Sequence, residues 1–310
     1  MNPFQAVSIA LGLALSSSCS TAPAADEVFV EGSMQTLATG LGFTEGPVWI
    51  AMEDRLVFSD IPAARLMSWT EGGGVTVFRE SPNPNGNLLD HEGRLLTCRH
   101  GARDVVRTEP DGSITVLASG WDGRRFNSPN DIAVDIDGNL WFTDPPWGLP
   151  GQREGRELDE NGVYRLDVNT GEVTQVSTLH AMPNGIALSP LGDFLYVTDT
   201  GGHPSHPDEA KRTSAGNVTC YVIGSDGSLE VRWQVPVISD GITLDEFGRV
   251  YTTTGEGLVV LDPADGQVVT TLELPEQPAN CCFGGPSRRT LFITARTGLY
   301  SVRTGAAGAR

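Results

Sequence analysis

Short runs in which hydrophobic and polar residues alternate recur along this chain, and a turn containing Gly or Asp precedes most of them. Alternation with a period of two is typical of β-strands that bury one face. Six copies align, over residues 54–60, 93–98, 138–144, 193–199, 248–254 and 289–295. Because no 11-residue window shows a convincing helical period, the pattern predicts an all-β protein.

The spacing of the six copies indicates which all-β fold to expect. Their equivalent apolar residues are Leu56, Leu95, Leu140, Leu195, Val250 and Leu291, at intervals of 39, 45, 55, 55 and 41 residues. A four-stranded propeller blade takes about 40–50 residues. We therefore predict a six-bladed β-propeller that forms a single domain over residues 26–310. Two β-sandwich domains are the alternative.

A second repeated position lies ten or eleven residues before each of these apolar residues. It holds a short polar residue followed by a small or polar one: Glu45-Gly46, Asn85-Gly86, Asn130-Asp131, Asn184-Gly185, Asp240-Gly241 and Asn280-Cys281. The innermost strands of a propeller line its central channel, so side chains at their starts would converge at one end of the axis. Asn-Gly and Asp-Gly are also ordinary turn pairs, and the alternative is that they only mark where each blade begins.

Six carboxylate or carboxamide side chains at one point would form an all-oxygen cluster. Hard oxygen ligands suit Ca²⁺ best, with Mg²⁺, Mn²⁺ or Zn²⁺ as alternatives. Glu45 and Asp240 would neutralise the dication, and the Asn carbonyl oxygens would complete its coordination.

Composition and charge narrow the function further. The 310 residues include 37 Gly and 20 Pro, which fits many short strands and tight turns. Acidic residues outnumber basic ones by 39 to 21, for a formal net charge of −18. Such a surface repels nucleic acid and anionic membranes, and favours small molecules and cations as partners. Neither a G-x-S-x-G elbow nor an H-E-x-x-H sequence occurs in the chain.

The amino-terminal residues 1–25 contain no charged side chain. Residues 6–15 form an apolar run that is too short to span a bilayer, and small residues of A-x-A character follow at 22–25. We expect a signal peptide over residues 1–25 and an exported protein, periplasmic or secreted, with lipid attachment at Cys19 as an alternative. Four cysteines remain, either in disulfides or as buried apolar residues: Cys98, Cys220, Cys281 and Cys282.

Several segments together resemble the gluconolactonase and senescence-marker-protein (regucalcin-like) family of calcium-dependent propeller lactonases. They are residues 44–49 (TEGPVW), 127–131 (NSPND), 141–148 (WFTDPPWG), 182–185 (MPNG), 195–199 (LYVTD) and 239–241 (SDG). The resemblance extends from about residue 42 to residue 300 and is closer to the bacterial gluconolactonases than to the regucalcin branch. It implies a lactonase of carbohydrate metabolism that acts on a sugar lactone such as gluconolactone.

The resemblance also implies roles for individual residues. The metal-binding Glu of the family falls on Glu45, a metal-site Asn on Asn184, and the metal-binding catalytic Asp on Asp240. Asn130 matches an Asn that binds either the metal or the substrate. One position departs from the regucalcin branch, because Ser128 stands where that branch has a substrate-binding Arg.

From these residues we expect metal-assisted hydrolysis of a lactone. Asp240 would act as general base or orient the attacking water. The expected substrate contacts are Asn130, Asn85, Asp131, Trp147 and His100. Asp144 and Asp199 end their strands similarly, and the alternative role for them is to anchor loops. Two alternatives are phosphotriester hydrolysis at the same metal site and a non-catalytic propeller that binds another protein.

Overall fold

The computed structural model describes residues 28–204 and 206–309, so the predicted signal peptide and Cys19 lie outside the described residues. Within them, three 3₁₀ turns at Ala51–Glu53, Pro150–Gln152 and Glu209–Lys211 accompany 26 strands. In chain order the strands are β1 (Gln35–Ala38), β2 (Thr44–Ile50), β3 (Arg55–Asp60), β4 (Arg65–Thr70), β5 (Gly74–Glu80), β6 (Pro84–Leu89), β7 (Leu95–Arg99), β8 (Asp104–Thr108), β9 (Ile114–Ala118), β10 (Gly120–Trp121), β11 (Arg124–Arg125), β12 (Ile132–Val134), β13 (Leu140–Asp144), β14 (Gly162–Leu166), β15 (Val173–Ser177), β16 (Pro183–Leu188), β17 (Phe194–Asp199), β18 (Asn217–Ile223), β19 (Leu229–Val235), β20 (Ser239–Leu244), β21 (Val250–Thr254), β22 (Gly257–Leu261), β23 (Val268–Leu272), β24 (Asn280–Gly284), β25 (Thr290–Ala295) and β26 (Gly298–Arg303).

Six four-stranded antiparallel sheets form the blades of a β-propeller, which confirms the predicted fold. Blades 1 to 5 have the strand orders β2-β3-β4-β5, β6-β7-β8-β9, β12-β13-β14-β15, β16-β17-β18-β19 and β20-β21-β22-β23. Blade 6 has the order β24-β25-β26-β1, so the first described strand completes the last blade and closes the ring. Each of the six repeated apolar runs is the second strand of its blade.

Apolar side chains pack between neighbouring blades. Leu56 and Phe58 of blade 1 cluster with Phe292 and Leu299 of blade 6, and Trp49 stacks on Phe292 with 5.2 Å between ring centroids. Cys98, Cys220 and Cys281 are buried, and all four described cysteines are free thiols rather than disulfides. No helix in residues 28–204 and 206–309 is long and apolar enough to cross a membrane.

The innermost strands, β2, β6, β12, β16, β20 and β24, contact one another in turn around the axis. The second strand of a blade runs antiparallel to the first, so the start of the first lies beside the end of the second. Thr44 pairs with Asp60, for example, and Pro183 pairs with Asp199. We refer to the end of the ring at which the innermost strands begin, and where the repeated polar residues lie, as the upper end.

Candidate functional site

The repeated polar residues occupy irregularities in the innermost strands. In four blades the pairing with the second strand shifts register at this position, between Glu45 and Val48, Pro84 and Asn87, Pro183 and Ile186, and Ser239 and Ile242. A bulge bends its strand and redirects a side chain that regular pleating would point elsewhere. The shifts therefore aim Glu45, Asn85, Asn184 and Asp240 away from the regular pleat.

The glycines that follow these residues allow neighbouring blades to approach closely. A Cβ on Gly46, which has a φ of 44°, would lie 2.1 Å from the carbonyl oxygen of Asn85 in the next blade. A Cβ on Gly185 would lie 2.4 Å from the carbonyl oxygen of Asp240. The Asn-Gly and Asp-Gly pairs thus do more than mark blade entry, since each Gly packs against the polar residue of the following blade.

Hydroxyl groups on the second strands hold the same carbonyl groups in place. The Thr143 hydroxyl of blade 3 donates to the carbonyl of Asn184 in blade 4 over 2.5 Å, and the Thr198 hydroxyl of blade 4 donates to the carbonyl of Asp240 in blade 5 over 2.5 Å. The first bond is buried and the second is partly buried, and both fix the backbone from which each functional side chain projects.

An Asp at the end of the second strand anchors the loop before the innermost strand. The Asp144 carboxylate accepts hydrogen bonds from the backbone N–H groups of Asn127 and Ser128, both at 2.7 Å. The same arrangement recurs at Asp60 with Gly42 and Phe43, and at Asp199 with Ala181 and Met182. Asp144 and Asp199 are therefore loop anchors. Burial raises the pKa of the Asp144 carboxyl group to about 7.

We expect Asp144→Ala to destabilise the protein by about 2–4 kcal/mol, because two buried N–H groups would lose their acceptor. The measurement is the free energy of unfolding in urea. Asp137→Ala, at an exposed position in the same blade, is the control and should change this free energy by less than about 0.5 kcal/mol. Equal unfolding midpoints for Asp144→Ala and wild type would contradict the anchoring role.

A cavity of about 440 Å³ opens at the upper end of the axis. Seven of the eight predicted site residues line it: Glu45, Asn85, His100, Asn130, Trp147, Asn184 and Asp240. They come from blades 1 to 5 and meet at one place although almost 200 residues separate the first from the last. Five of the six repeated polar residues therefore converge as predicted, whereas the sixth, Asn280, lines a separate cavity and its Oδ1 accepts a hydrogen bond from the N–H of Cys281.

Asp131 is the exception, and the prediction that it contacts the substrate is not supported by its position. It lines a second cavity of about 340 Å³ further along the channel. Its carboxylate accepts hydrogen bonds from the backbone N–H of Ile132 at 3.0 Å and of Ile186 at 3.3 Å. Successive residues of an extended chain point in opposite directions, so Asn130 faces the upper cavity and Asp131 turns away from it.

Buried negative charge is concentrated at this end of the channel. Burial and the neighbouring Asp240 raise the pKa of Glu45 well above its ordinary value. Burial and the charge of Asp131 raise the pKa of Asp240 to about 7, against the lowering influence of Asn184 and Arg296. Burial also raises the pKa of Asp131 to about 7. Ionising these carboxyl groups together is costly unless a positive charge lies near them.

Two buried oxygen atoms in the cavity accept no hydrogen bond, Oδ1 of Asp240 and Oδ1 of Asn85. The Asn85 amide nitrogen lies 3.1 Å from Nε2 of His100. Because burial lowers the pKa of His100 to about 4, the imidazole is neutral at pH 7 and accepts this hydrogen bond. The Asn85 amide is thereby oriented with its oxygen unpaired, and it can accept a hydrogen bond from a ligand.

These features fit a divalent cation with oxygen ligands. Two carboxylates and two amides, Glu45, Asp240, Asn130 and Asn184, line the same cavity, and one carboxylate oxygen is unpaired. In the described part of the chain, no three His, Cys, Asp or Glu side chains form a metal-binding group on their own. The amide oxygens would therefore be required as ligands, which is chemistry that suits Ca²⁺ or Mg²⁺ better than Zn²⁺.

Sequence reasoning missed several residues that line the cavity: Phe43, Ile61, Thr200, Gln277 and Arg296. A third repeated position would have found three of them. This position lies five residues after the apolar residue that marks a second strand, and in four blades it holds Ile61, His100, Thr200 and Arg296. Second strands end at the upper end, so the next residue reaches the rim of the cavity.

Ser128 supports the cavity without lining it. This residue is fully buried, its hydroxyl donates to the carbonyl of Pro145 over 2.6 Å, and the N–H of Gly148 donates to it over 2.8 Å. Both bonds hold the loop that carries Trp147, a residue that is 37% exposed. The position that differs from the regucalcin branch therefore shapes one wall of the cavity.

The fold and site define a six-bladed propeller with an oxygen-lined cavity on its axis that suits a divalent cation. Residues 43–297 match the SMP-30/Gluconolactonase/LRE-like region, and the chain belongs to this family. It is 30% identical to a gluconolactonase from Zymomonas mobilis, covering 89% of this chain and 82% of the relative. A pentonolactonase from Haloferax volcanii is 28% identical, covering 82% and 81%. The solved structure of a gluconolactonase from Xanthomonas campestris is 32% identical, with a TM-score of 0.79, covering 91% of this chain and 93% of that one.

Proposed function

We propose that this lactonase hydrolyses a sugar lactone with the help of a divalent cation, Ca²⁺ before Mg²⁺ or Mn²⁺. The observation that carries the proposal is the unpaired, buried Oδ1 of Asp240 in a cavity whose lining also includes the Glu45 carboxylate and the amides of Asn130 and Asn184. Family membership and the lactonases among its relatives support the reaction class. The amino-terminal sequence supports action outside the cytoplasm, after export.

Four residues would hold the cation: Glu45, Asn130, Asn184 and Asp240. The raised pKa values of both carboxyl groups support this assignment, because their repulsion would be relieved by a positive charge between them. The amides add oxygen ligands without adding further negative charge. When bound, such a cation polarises the ester carbonyl and stabilises the negative charge that develops on its oxygen.

Asp240 is the residue we assign as general base. A water molecule attacks the lactone carbonyl carbon while Asp240 Oδ1 takes one of its protons. The new C–O bond forms, the ring C–O bond breaks, and the released alkoxide oxygen takes up the proton held by Asp240, which gives the open hydroxy acid and restores the carboxylate. The unpaired Asn85 Oδ1 accepts a hydrogen bond from a substrate hydroxyl, and neutral His100 keeps that amide in the required orientation.

A pH-indicator assay on purified mature protein tests this function. The substrates are aldonolactones, unsubstituted lactones and phosphotriesters, each with EDTA and with Ca²⁺ added back. We expect rapid opening of at least one aldonolactone, loss of activity in EDTA and recovery with Ca²⁺. Hydrolysis of phosphotriesters alone would assign the protein to that alternative class, and undiminished activity in EDTA would remove the cation from the mechanism.

A further inference from the structure

Arg296 lies on the wall of the cavity opposite the loop that Ser128 supports. It occupies the turn between β25 and β26 and lines the cavity together with Phe43 and Gln277. Its Nη2 donates to Oε1 of Gln277 over 2.6 Å, and its guanidinium carbon lies 5.9 Å from the centre of the Phe43 ring. These contacts hold the guanidinium at the rim of the cavity.

The backbone of Arg296 is tied to the residues that carry the site. Its carbonyl accepts a hydrogen bond of 2.8 Å from the N–H of Thr44, the residue directly before Glu45. The turn is also held without the Arg side chain, because the N–H and the hydroxyl of Thr297 both donate to Glu276 over 2.9 Å. A change of the Arg296 side chain should therefore leave the turn in place.

The charge of Arg296 has no counterpart among the other residues that line the cavity. Glu45 and Asp240 are acidic, His100 is neutral because burial lowers its pKa, and the remaining lining residues are uncharged. A guanidinium has five N–H donors in a planar arrangement, and among residues 28–204 and 206–309 only Gln277 accepts a hydrogen bond from one of them. The others are available to oxygen atoms of a ligand.

Arg296 also adopts a backbone conformation that is unfavourable for its residue type. Its φ is 44°, in the left-handed region where Gly and Asn are favoured. Such conformations carry a cost and are often found at functional sites. Asn would adopt this backbone conformation at a lower conformational cost than Arg. The position nevertheless holds the one cationic side chain among the described residues that line the cavity.

We propose that Arg296, supported by Gln277, recognises hydroxyl oxygens of the substrate and determines the preference for polyhydroxylated over unsubstituted lactones. This inference rests on the proposed function. Ser128 cannot provide an equivalent contact from the opposite wall, since its hydroxyl is buried between Pro145 and Gly148. The cationic contact to the sugar hydroxyl groups therefore comes from blade 6 instead of blade 3, in addition to the contact from Asn85 in blade 2.

The test compares wild type with Arg296→Asn on two six-membered lactones, glucono-δ-lactone and δ-valerolactone, which lacks the hydroxyl groups. We expect KM for gluconolactone to rise about tenfold or more, as for loss of a charged hydrogen bond, with kcat little changed. For δ-valerolactone, kcat/KM should stay within about twofold. Arg303→Asn, at an exposed position at the far end of the same blade, is the matched control and should behave as wild type on both.

A parallel loss of activity on both lactones would show a structural role and overturn the proposal, as would an unchanged KM for gluconolactone. Calorimetric binding of gluconate, in the presence of Ca²⁺, gives a second readout that needs no turnover. Arg296→Asn should weaken this binding about tenfold, and equal affinity would overturn the role of Arg296. If wild type opens neither lactone, the proposed function fails, and gluconate binding still decides the role of Arg296.

Discussion

Asp240→Asn is expected to lower lactone turnover by about 10²–10⁴-fold, the range that general base catalysis contributes, while the propeller stays folded. The substitution preserves size and removes a buried negative charge that Glu45 and Asp131 oppose. The thermal midpoint of the metal-free variant should therefore equal or exceed that of wild type. Initial rates at saturating Ca²⁺ and a thermal melt in EDTA provide the two measurements.

Saturating Ca²⁺ separates the two roles assigned to Asp240. If the residue acts only as a ligand, excess Ca²⁺ should restore turnover in the variant, whereas loss of a base persists at any Ca²⁺ concentration. Asp265→Asn, in an exposed turn of the same blade, is the control and should keep wild-type rates. Near-normal turnover of Asp240→Asn would exclude Asp240 from the mechanism.

Removal of the cation should abolish activity, and Glu45→Gln should weaken Ca²⁺ binding about tenfold or more. The reason is that the number of charged ligands sets the affinity of a Ca²⁺ site. The Glu45 carboxylate also accepts a hydrogen bond from the N–H of Gly46 over 2.9 Å, so Gln can keep that bond while losing the charge. Isothermal calorimetry with CaCl₂ on EDTA-treated, desalted protein measures the change.

The same titration should depend on pH. The pKa of Asp240 is raised to about 7 in the metal-free protein, so protons compete with the cation and Ca²⁺ affinity should fall as pH decreases through 7. Glu53→Gln, at an exposed turn of blade 1, is the control and should bind Ca²⁺ like wild type. A Ca²⁺ affinity that is unchanged in Glu45→Gln would argue against this carboxylate as a ligand.

The repeat in the sequence was sufficient to predict the fold and most of the candidate site. The second strands are marked by apolar runs of period two, and the polar residue ten or eleven positions earlier has the same place in every blade. Equivalent positions in a ring of equivalent blades must converge on the axis, so Glu45, Asn184 and Asp240 could be placed together without any knowledge of contacts.

Features that depend on side-chain direction could not be predicted in this way. Asn130 and Asp131 are adjacent and both polar, and only the local strand geometry shows that Asp131 faces the second cavity. Arg296 was missed for a different reason, because it stands where other blades have Ile61 or Thr200 and shares no chemistry with them. A search by residue type overlooks such a position, while a search by register finds it.

The hydrogen bonds that threonine hydroxyl groups donate to the next blade affect how such a site can evolve. Asn184 is held by Thr143 of the preceding blade, and Asp240 by Thr198 of the blade before its own. A functional side chain and the group that fixes its backbone are therefore encoded in different repeats. Exchange of a single blade between relatives would separate them, so we expect chimaeras to retain activity only when neighbouring blades are transferred as pairs.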